Sequence, residues 1–301
     1  MPNLKEVRVR ITSVNSTKQI TSAMKMVSAA KFKKAQNAIV QMRPYAGKLR
    51  SILENLSAGL DSSEGVYSAN RNIKNVLIVA FTSNRGLCGA FNSNVIKESK
   101  TIAQKHKNSG SNVTVICAGK KAYDFFRKTE YNIKGANLPR NFNHLYDKIS
   151  FEQTSAEAEK IMKAFTDKQF DKVYLVYNAF KNAAVQVLTS EQFLPVKPTP
   201  AAVKVSGVAN QEKLSGDYIF EPAKEDLVQE LIPKSLKTQF FKALLDSHAS
   251  EHGARMTAMH KATDNATEML KELRLSYNKA RQAAITKEIL EIVGGAEALK
   301  G

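Results

Sequence analysis

From Lys234 to Val293 the chain contains no proline and a single glycine, Gly253, before Gly294 and Gly295 interrupt it. That stretch predicts one helix of about sixty residues, roughly 90 Å long at 1.5 Å per residue. A compact globule of 301 residues would be only about 50 Å across, so the helix has to project. Its inward stripe reads Met259, Ala262, Ala266, Met269, Leu273, Tyr277, Ala280 and Ala284. A stripe that narrow and that rich in alanine requires a close partner helix.

The partner is found at the other end of the chain. Leu4, Val7, Ile11 and Val14 recur at helical spacing, Ile20, Met24 and Val27 resume the stripe, and Ala35, Ala38 and Met42 prolong it. Asn3 with Glu6 three residues on resembles a capping box, and Pro44 is expected to kink the helix. The Gly-, Ser- and Asn-containing stretch from Gly59 to Asn72 ends it. Two long terminal helices therefore predict an antiparallel coiled coil.

Between them the period changes. Val76–Phe81, Val113–Ala118 and Val173–Tyr177 are short, apolar, β-branched runs bounded by turn residues, as buried parallel strands are. Ser93–Lys107 and Ser155–Lys168 read as intervening helices, and a hairpin is expected from Asn178 to Leu194. Strand–helix alternation implies a Rossmann-like, doubly wound α/β domain. It closes at Pro195, Pro198 and Pro200, and Ala201–Asp217 reads as a linker. The expected fold is α/β plus long helices, an extended rod with an inserted lateral globule. Its parts are an N-terminal coiled-coil helix (1–58), the α/β domain (73–200) and a C-terminal coiled-coil helix (218–301).

Charge narrows the partners. The chain carries a net +17, which favours acidic surfaces. Residues 1–60 hold eleven basic residues against Glu6 and Glu54, whereas Pro222–Gly301 is nearly balanced. The longest apolar run, Val76–Phe81, has six residues, far short of the roughly 20 needed to span a bilayer, and the chain reads as soluble. The N-terminus shows no secretory pattern. Cys88 and Cys117 are the only cysteines, too few for a disulfide framework or a metal cage, and a reducing compartment is expected.

Three patterns suggest chemistry. His248, Glu251 and His252 match the H-x-x-E-H arrangement of inverted zinc peptidases, but the helix continues without a third ligand, so the motif reads as polar residues on a helix face. Arg85-Gly86-Leu87-Cys88-Gly89 lies where a phosphate loop would, yet it has only two glycines and no nucleotide fingerprint. It reads as a tight packing turn, with Cys88 a small buried residue. Lys31, Lys33 and Lys34 could track phosphates, but no aromatics are interleaved for base stacking. No catalytic constellation, cofactor site or metal site is expected.

Longer stretches identify a family. TSVNSTKQITSAMKMVSAAK from Thr12 to Lys31, with Lys34-Ala-Gln36, resembles the N-terminal signature of the gamma subunits of F-type ATP synthases. ARMTAM (Ala254–Met259), ATDNA (Ala262–Ala266), YNKARQAAIT (Tyr277–Thr286) and EIVGG (Glu291–Gly295) resemble its closing signature, and TSNRGLCGAFN (Thr82–Asn92) its central motif. The matches follow the family's order along essentially the whole chain.

The resemblance implies a central-stalk rotor without an active site. Its coiled coil would lie on the axis of three alpha and three beta subunits, and its lower part would sit with the epsilon subunit on the membrane c-ring. Rotation would take each beta subunit through states of different nucleotide affinity, coupling ion flow to ATP synthesis or hydrolysis. The family's acidic beta-subunit loops suit the basic residues of 1–60. Its shaft contact with a beta-subunit loop falls on Arg281 and Gln282, with Thr286 and Glu288 on neighbouring turns, and Met24 and Lys25 also face the beta subunits. Phe220 and Glu221 fall near the c-ring contact. The thiol switch of plastid members is not expected, because Cys88 and Cys117 lie in or beside strands. The expected location is peripheral, on the cytoplasmic face of a bacterial inner membrane, with no nucleic acid and no small-molecule substrate of its own. A basic coiled-coil nucleic-acid-binding protein and a nucleotide-dependent α/β enzyme are the alternatives.

Overall fold

The computed structural model describes residues 4–57, 66–68, 71–132, 138–183, 185–196 and 224–298. The elements are α1 (Leu4–Ser57), β1 (Asn75–Phe81), α2 (Phe91–Asn108), β2 (Asn112–Ala118), α3 (Lys120–Phe126), a 3₁₀ turn (Asn143–Tyr146), α4 (Phe151–Thr166), β3 (Lys172–Phe180), β4 (Gln186–Leu194) and α5 (Lys224–Ala298). They form two compact units. One comprises Met1–Ala30 with Arg255–Gly301, the other Lys31–Ala254, so α1 and α5 contribute to both.

The larger unit is built on a mixed sheet of order β2-β1-β3-β4. β1 pairs in parallel with β2 and with β3, and β4 returns antiparallel to β3, as the strand-like runs and the hairpin predict. Side chains alternate between the sheet's two faces. Val76, Ile78, Ala80, Val115 and Cys117 pack with Val95 and Ala103 of α2 and with Ala122 and Phe126 of α3. Leu77, Val79, Phe81, Ile116, Leu175 and Phe193 face α4 through Ala158, Ile161 and Phe165.

That second face is completed by α5. Leu236, Phe240, Ala243 and Leu244 belong to the same buried cluster, and the Phe240 ring meets Phe81, Phe193 and Phe142 at centroid distances of 5.3, 6.0 and 6.3 Å. Further along, Leu245 and Ala249 pack on Ala35 and Ile39 of α1. The early turns of α5 are thus a layer of the α/β sandwich as well as partners of α1. The glycine in the packed part of this helix, Gly253, has a steric reason. A Cβ on Gly253 would sit 3.0 Å from the Ala183 carbonyl oxygen and 3.5 Å from the Phe32 ring.

α1 runs as one helix through Pro44 to Ser57, close to the expected end, since a proline forfeits one backbone bond without forbidding the next turn. The limits of α5 depart from expectation at both ends. α5 begins ten residues before Lys234, includes Pro233 and passes through Gly294–Gly295 to Ala298. Glycine in a helix costs about 1 kcal/mol relative to alanine, which weakens a helix rather than terminating it. α3 was not expected; it is a seven-residue helix that buries only Ala122 and Phe126, too short to show a period.

Candidate functional site

The motif turn after β1 is tied to the start of α2 through Asn92. Asn92, at the start of α2, accepts from the Ser83 amide at 2.9 Å and donates through Nδ2 to Ser83 Oγ at 2.8 Å and to Cys88 Sγ at 3.1 Å. Leu87 and Gly89 take left-handed backbone angles, φ 63° and 59°, which lets five residues reverse direction between strand and helix. Beside it Gly119 has φ 119°, and a Cβ there would lie 2.1 Å from the Thr82 carbonyl oxygen. The loop after β2 must therefore be glycine for β1 and β2 to end side by side. These polar atoms are engaged in closing the turn, which is the packing role read from the sequence. Cys88 and Cys117 are both buried free thiols, and burial pushes Cys117 up to about 12, far from reactive thiolate character.

The H-x-x-E-H residues lie on α5 within the larger unit. His248 and His252 bring their Nε2 atoms to 3.2 Å, with ring centroids 4.6 Å apart and nearly perpendicular. Tyr146 of the 3₁₀ turn lies 6.2 Å from the His248 ring. Among the described residues no three His, Cys, Asp or Glu side chains are grouped to hold a metal ion.

The smaller unit is a helix pair. Thr263 Oγ1 of α5 lies 2.9 Å from Thr21 Oγ1 of α1, its proton shared with the Met259 carbonyl at 2.8 Å, while Thr21 donates to the Lys18 carbonyl. Four residues further along α1, Lys25 Nζ is 3.4 Å from His260 Nδ1, three residues back along α5. Numbers rising on one helix as they fall on the other make the pair antiparallel. His260 also faces Asp264 at 3.3 Å.

Val7 of α1 and Met259 and Ala266 of α5 are buried as the stripes predict, but the seam departs from them at two turns of α1 and at one position of α5. Thr21 and Ser28 are buried on α1, whereas Ile20 and Val27 are 59% and 57% exposed. On α5 Leu270 is buried with Met259 and Ala266, and Met269 is exposed. Short hydroxyl side chains allow the backbones to approach closely, and Thr21 and Thr263 bond within and across the helices, so burying them carries little penalty. Displaced from the seam, Ile20 and Val27 face outward.

Of the residues expected to meet partners, Arg281, Gln282, Thr286 and Glu288 are all exposed, and Thr286 bonds back to the Gln282 carbonyl at 2.9 Å. Met24 and Lys25 are half-buried, Lys25 being turned toward His260. Phe220 and Glu221 lie outside the described residues. The sequence reading missed a continuous apolar surface: Ile285, Ile289, Leu290, Ile292 and Val293 are all exposed, Ile292 by 71%. Ile285, Ile289, Ile292 and Val293 stand at i, i+4, i+7 and i+8, one helical face, and the stripe read from the sequence stopped just before them, at Ala284. An apolar helix end that is exposed along several turns marks a binding surface.

Comparison with known proteins assigns these surfaces a family. Residues 3–299 match the family model described as ATP synthase. The ATP synthase gamma chain of Flavobacterium johnsoniae is 57% identical over 302 residues, covering all of both chains, and that of Cytophaga hutchinsonii is 53% identical over 99% of each. Among solved structures, a chain of the Tetrahymena thermophila mitochondrial ATP synthase central stalk and c-ring matches with a TM-score of 0.56 at 27% identity, covering 81% of this chain and 99% of that one. A chain of the Euglena gracilis mitochondrial ATP synthase shares the fold, with a TM-score of 0.64 at 23% identity over 98% and 94% of the two chains.

Proposed function

The chain belongs to the ATP synthase gamma-chain family, and from that membership we propose how its surfaces work in an F-type ATP synthase. It is a central-stalk subunit that assembles with alpha and beta subunits, an epsilon subunit and a c-ring. The alternative of a nucleic-acid-binding protein finds no support in these relatives.

The exposed apolar end of α5 carries the mechanistic reading. A helix pair that turned all its apolar residues inward would need no sleeve, whereas Ile285, Ile289, Leu290, Ile292 and Val293 are left exposed, as a surface to be covered by a partner is. We place this end in the bore of the alpha–beta ring. Apolar contact there is non-directional, so a rotating surface meets no single deep minimum. Just before it, Arg281 and Gln282 are positioned to engage a beta-subunit loop, where a guanidinium can form charge-assisted bonds to carboxylates. Thr286 and Glu288 contribute on the next turns, and Met24 and Lys25 face the same subunits from α1. Phe220 and Glu221 fall near the region that contacts the c-ring loops.

In this reading the subunit is itself non-catalytic and transmits torque. No described helix is long and apolar enough to cross a membrane. The subunit is held peripherally on the cytoplasmic face of the inner membrane through the c-ring. The basic residues Lys5, Arg8, Arg10 and Lys18 of α1 give long-range attraction to acidic loops without a fixed lock.

The test is a native pull-down of the tagged chain from its source, with subunit masses and an ATPase assay of the eluate. A complex near three alpha, three beta and one gamma with ATPase activity is expected. A lone chain, or one carrying nucleic acid while membrane ATPase is intact, would overturn the reading.

A further inference from the structure

We propose that His260 is a proton-operated toggle for Lys25: the neutral imidazole holds the Lys25 ammonium along the helix pair, and the protonated one releases it to carboxylates of a partner subunit. The inference rests on the reading that Lys25 faces the beta subunits. One ring nitrogen stands within reach of two opposite groups. Lys25 Nζ of α1 lies 3.4 Å from His260 Nδ1. Asp264 Oδ2, one turn further along α5, lies 3.3 Å from the same nitrogen.

An ammonium only donates and a carboxylate only accepts, so Nδ1 serves one of them at a time. With the ring proton on Nε2, the Nδ1 lone pair accepts from Lys25, and that donation favours this tautomer. Once Nδ1 is protonated it donates to Asp264 instead, and Lys25 loses its acceptor. At acid pH the ring holds both protons, pairs with Asp264 and repels the Lys25 ammonium across the seam. Histidine is the side chain whose charge ordinarily changes between pH 5 and 8, so the exchange falls in the range a cell visits.

The surroundings leave the exchange to these three groups. From Thr21 to Ala29 the only charged residue of α1 is Lys25, and from Met256 to Asp264 those of α5 besides His260 are Lys261 and Asp264. Thr21 and Thr263, bonded to each other at 2.9 Å, fix the register that keeps Lys25 opposite His260. The His260 and Asp264 side chains are 58% and 65% exposed, so protons reach them freely. Exposed pairs of this kind redistribute a side chain by about two- to fivefold rather than all or none. His260 is thus a positioning residue for Lys25.

Two measurements test it. The first is nitrogen-15 NMR of the histidine-labelled full chain, with His260 assigned by the loss of its signals in His260→Asn. At pH 8.5 the parent should carry its ring proton on Nε2, and Lys25→Ala should at least double the fraction with the proton on Nδ1, where Asp264 accepts it. The second is carbodiimide cross-linking of the assembled complex, with the yield from Lys25 to beta-subunit carboxylates divided by that of the Lys107–Glu130 pair, 2.6 Å apart in the same chain. That ratio should be about two- to fivefold higher at pH 6 than at pH 8. In His260→Asn, which keeps an acceptor near the Nδ1 position and takes up no proton, it should be flat. A tautomer fraction unmoved by Lys25→Ala would overturn the proposal. So would a parent ratio that does not change with pH, or a change that persists in His260→Asn. No Lys25 cross-link at either pH, with the tautomer shift present, would instead refute the placement of Lys25 against the beta subunits, and with it the release to a partner, while the exchange at His260 stands.

Discussion

Replacing Phe240 by alanine tests whether α5 is anchored on the sheet as the structure shows. The ring is fully buried and touches Phe81, Phe193 and Phe142 at 5.3–6.3 Å. Truncating a buried phenylalanine costs about 3–5 kcal/mol, combining lost transfer energy with the cavity left behind. Three ring neighbours, each worth roughly 0.5–1.5 kcal/mol beyond area burial, place Phe240→Ala near the top of that range, at about 4–5 kcal/mol. That approaches the total stability of an ordinary domain, about 5–15 kcal/mol. Urea unfolding of the purified chain, followed by far-ultraviolet circular dichroism, gives the cost from the shift in midpoint at constant slope. Phe240→Leu, which keeps most of the volume, should cost less than half as much. Phe151→Ala, at the half-exposed partner of Phe241, should cost under about 1 kcal/mol. A loss below about 1 kcal/mol for Phe240→Ala would refute the anchoring of α5 against β1 and β4.

Gly119→Ala should destabilise the α/β unit by about 3 kcal/mol or more, because its Cβ would collide with Thr82 backbone atoms at 2.1 and 2.5 Å at a φ that disfavours side chains; a thermal scan showing parent-like stability would contradict this. Asp246 is pushed from 3.8 up to about 6, chiefly by burial, with Lys242 and Arg43 opposing and Glu191 reinforcing. Because the folded group binds its proton more tightly than the unfolded one, its contribution is most favourable below about pH 4 and is lost as pH rises through about 6. Asp246→Asn should therefore match the parent near pH 4 and exceed it by roughly 1–3 kcal/mol at pH 8, and a pH-independent difference in urea midpoints would refute the assignment. Arg281→Ala should lower coupled ATP turnover of the assembled complex by up to about tenfold, as expected for losing one charge-assisted hydrogen bond of roughly 1.5 kcal/mol, without changing subunit composition. Unchanged turnover would remove Arg281 from the contact.

The α/β unit was legible because its signals are local. β1 and β2 begin one residue before the apolar runs that announce them, and β3 extends that run at both ends. The hairpin followed from Leu194 and the prolines beyond it. What was not legible was α5 as a layer on the sheet. Leu236, Phe240 and Leu244 have ordinary helical spacing, and nothing in that spacing tells a sheet from a second helix. Gly253 was equally opaque, since its reason lies in Ala183 and Phe32, distant in sequence. Phe220 and Glu221 fall outside the described residues, and for Arg281 and Gln282 the structure gives exposure alone.

The local departure of the α1 stripe at Ile20 and Val27 is the more instructive failure. Counting apolar residues along α1 selects Ile20 and Val27, because in a self-contained fold the larger apolar side chain is the one buried. The structure instead buries Thr21 and Ser28, their immediate neighbours, and leaves Ile20, Met26 and Val27 outside. One residue along a helix turns the side-chain direction by about 100°, so the departure is real at these two turns, while Val7 and Ala35 of the same stripe are buried as expected. Packing the hydroxyls inward costs little where Thr263 and the Lys18 carbonyl satisfy them. Exposing the apolar side chains costs transfer energy that the isolated chain does not recover, at about 25 cal/mol per Å². The same imbalance appears at Ile285–Val293 on α5. Both are accounted for once the helix pair is read as the inner member of a larger packing, narrow enough to be enclosed and apolar enough outside to be held there. The rule that buries the larger apolar residue then still holds, applied to the assembly rather than to the chain.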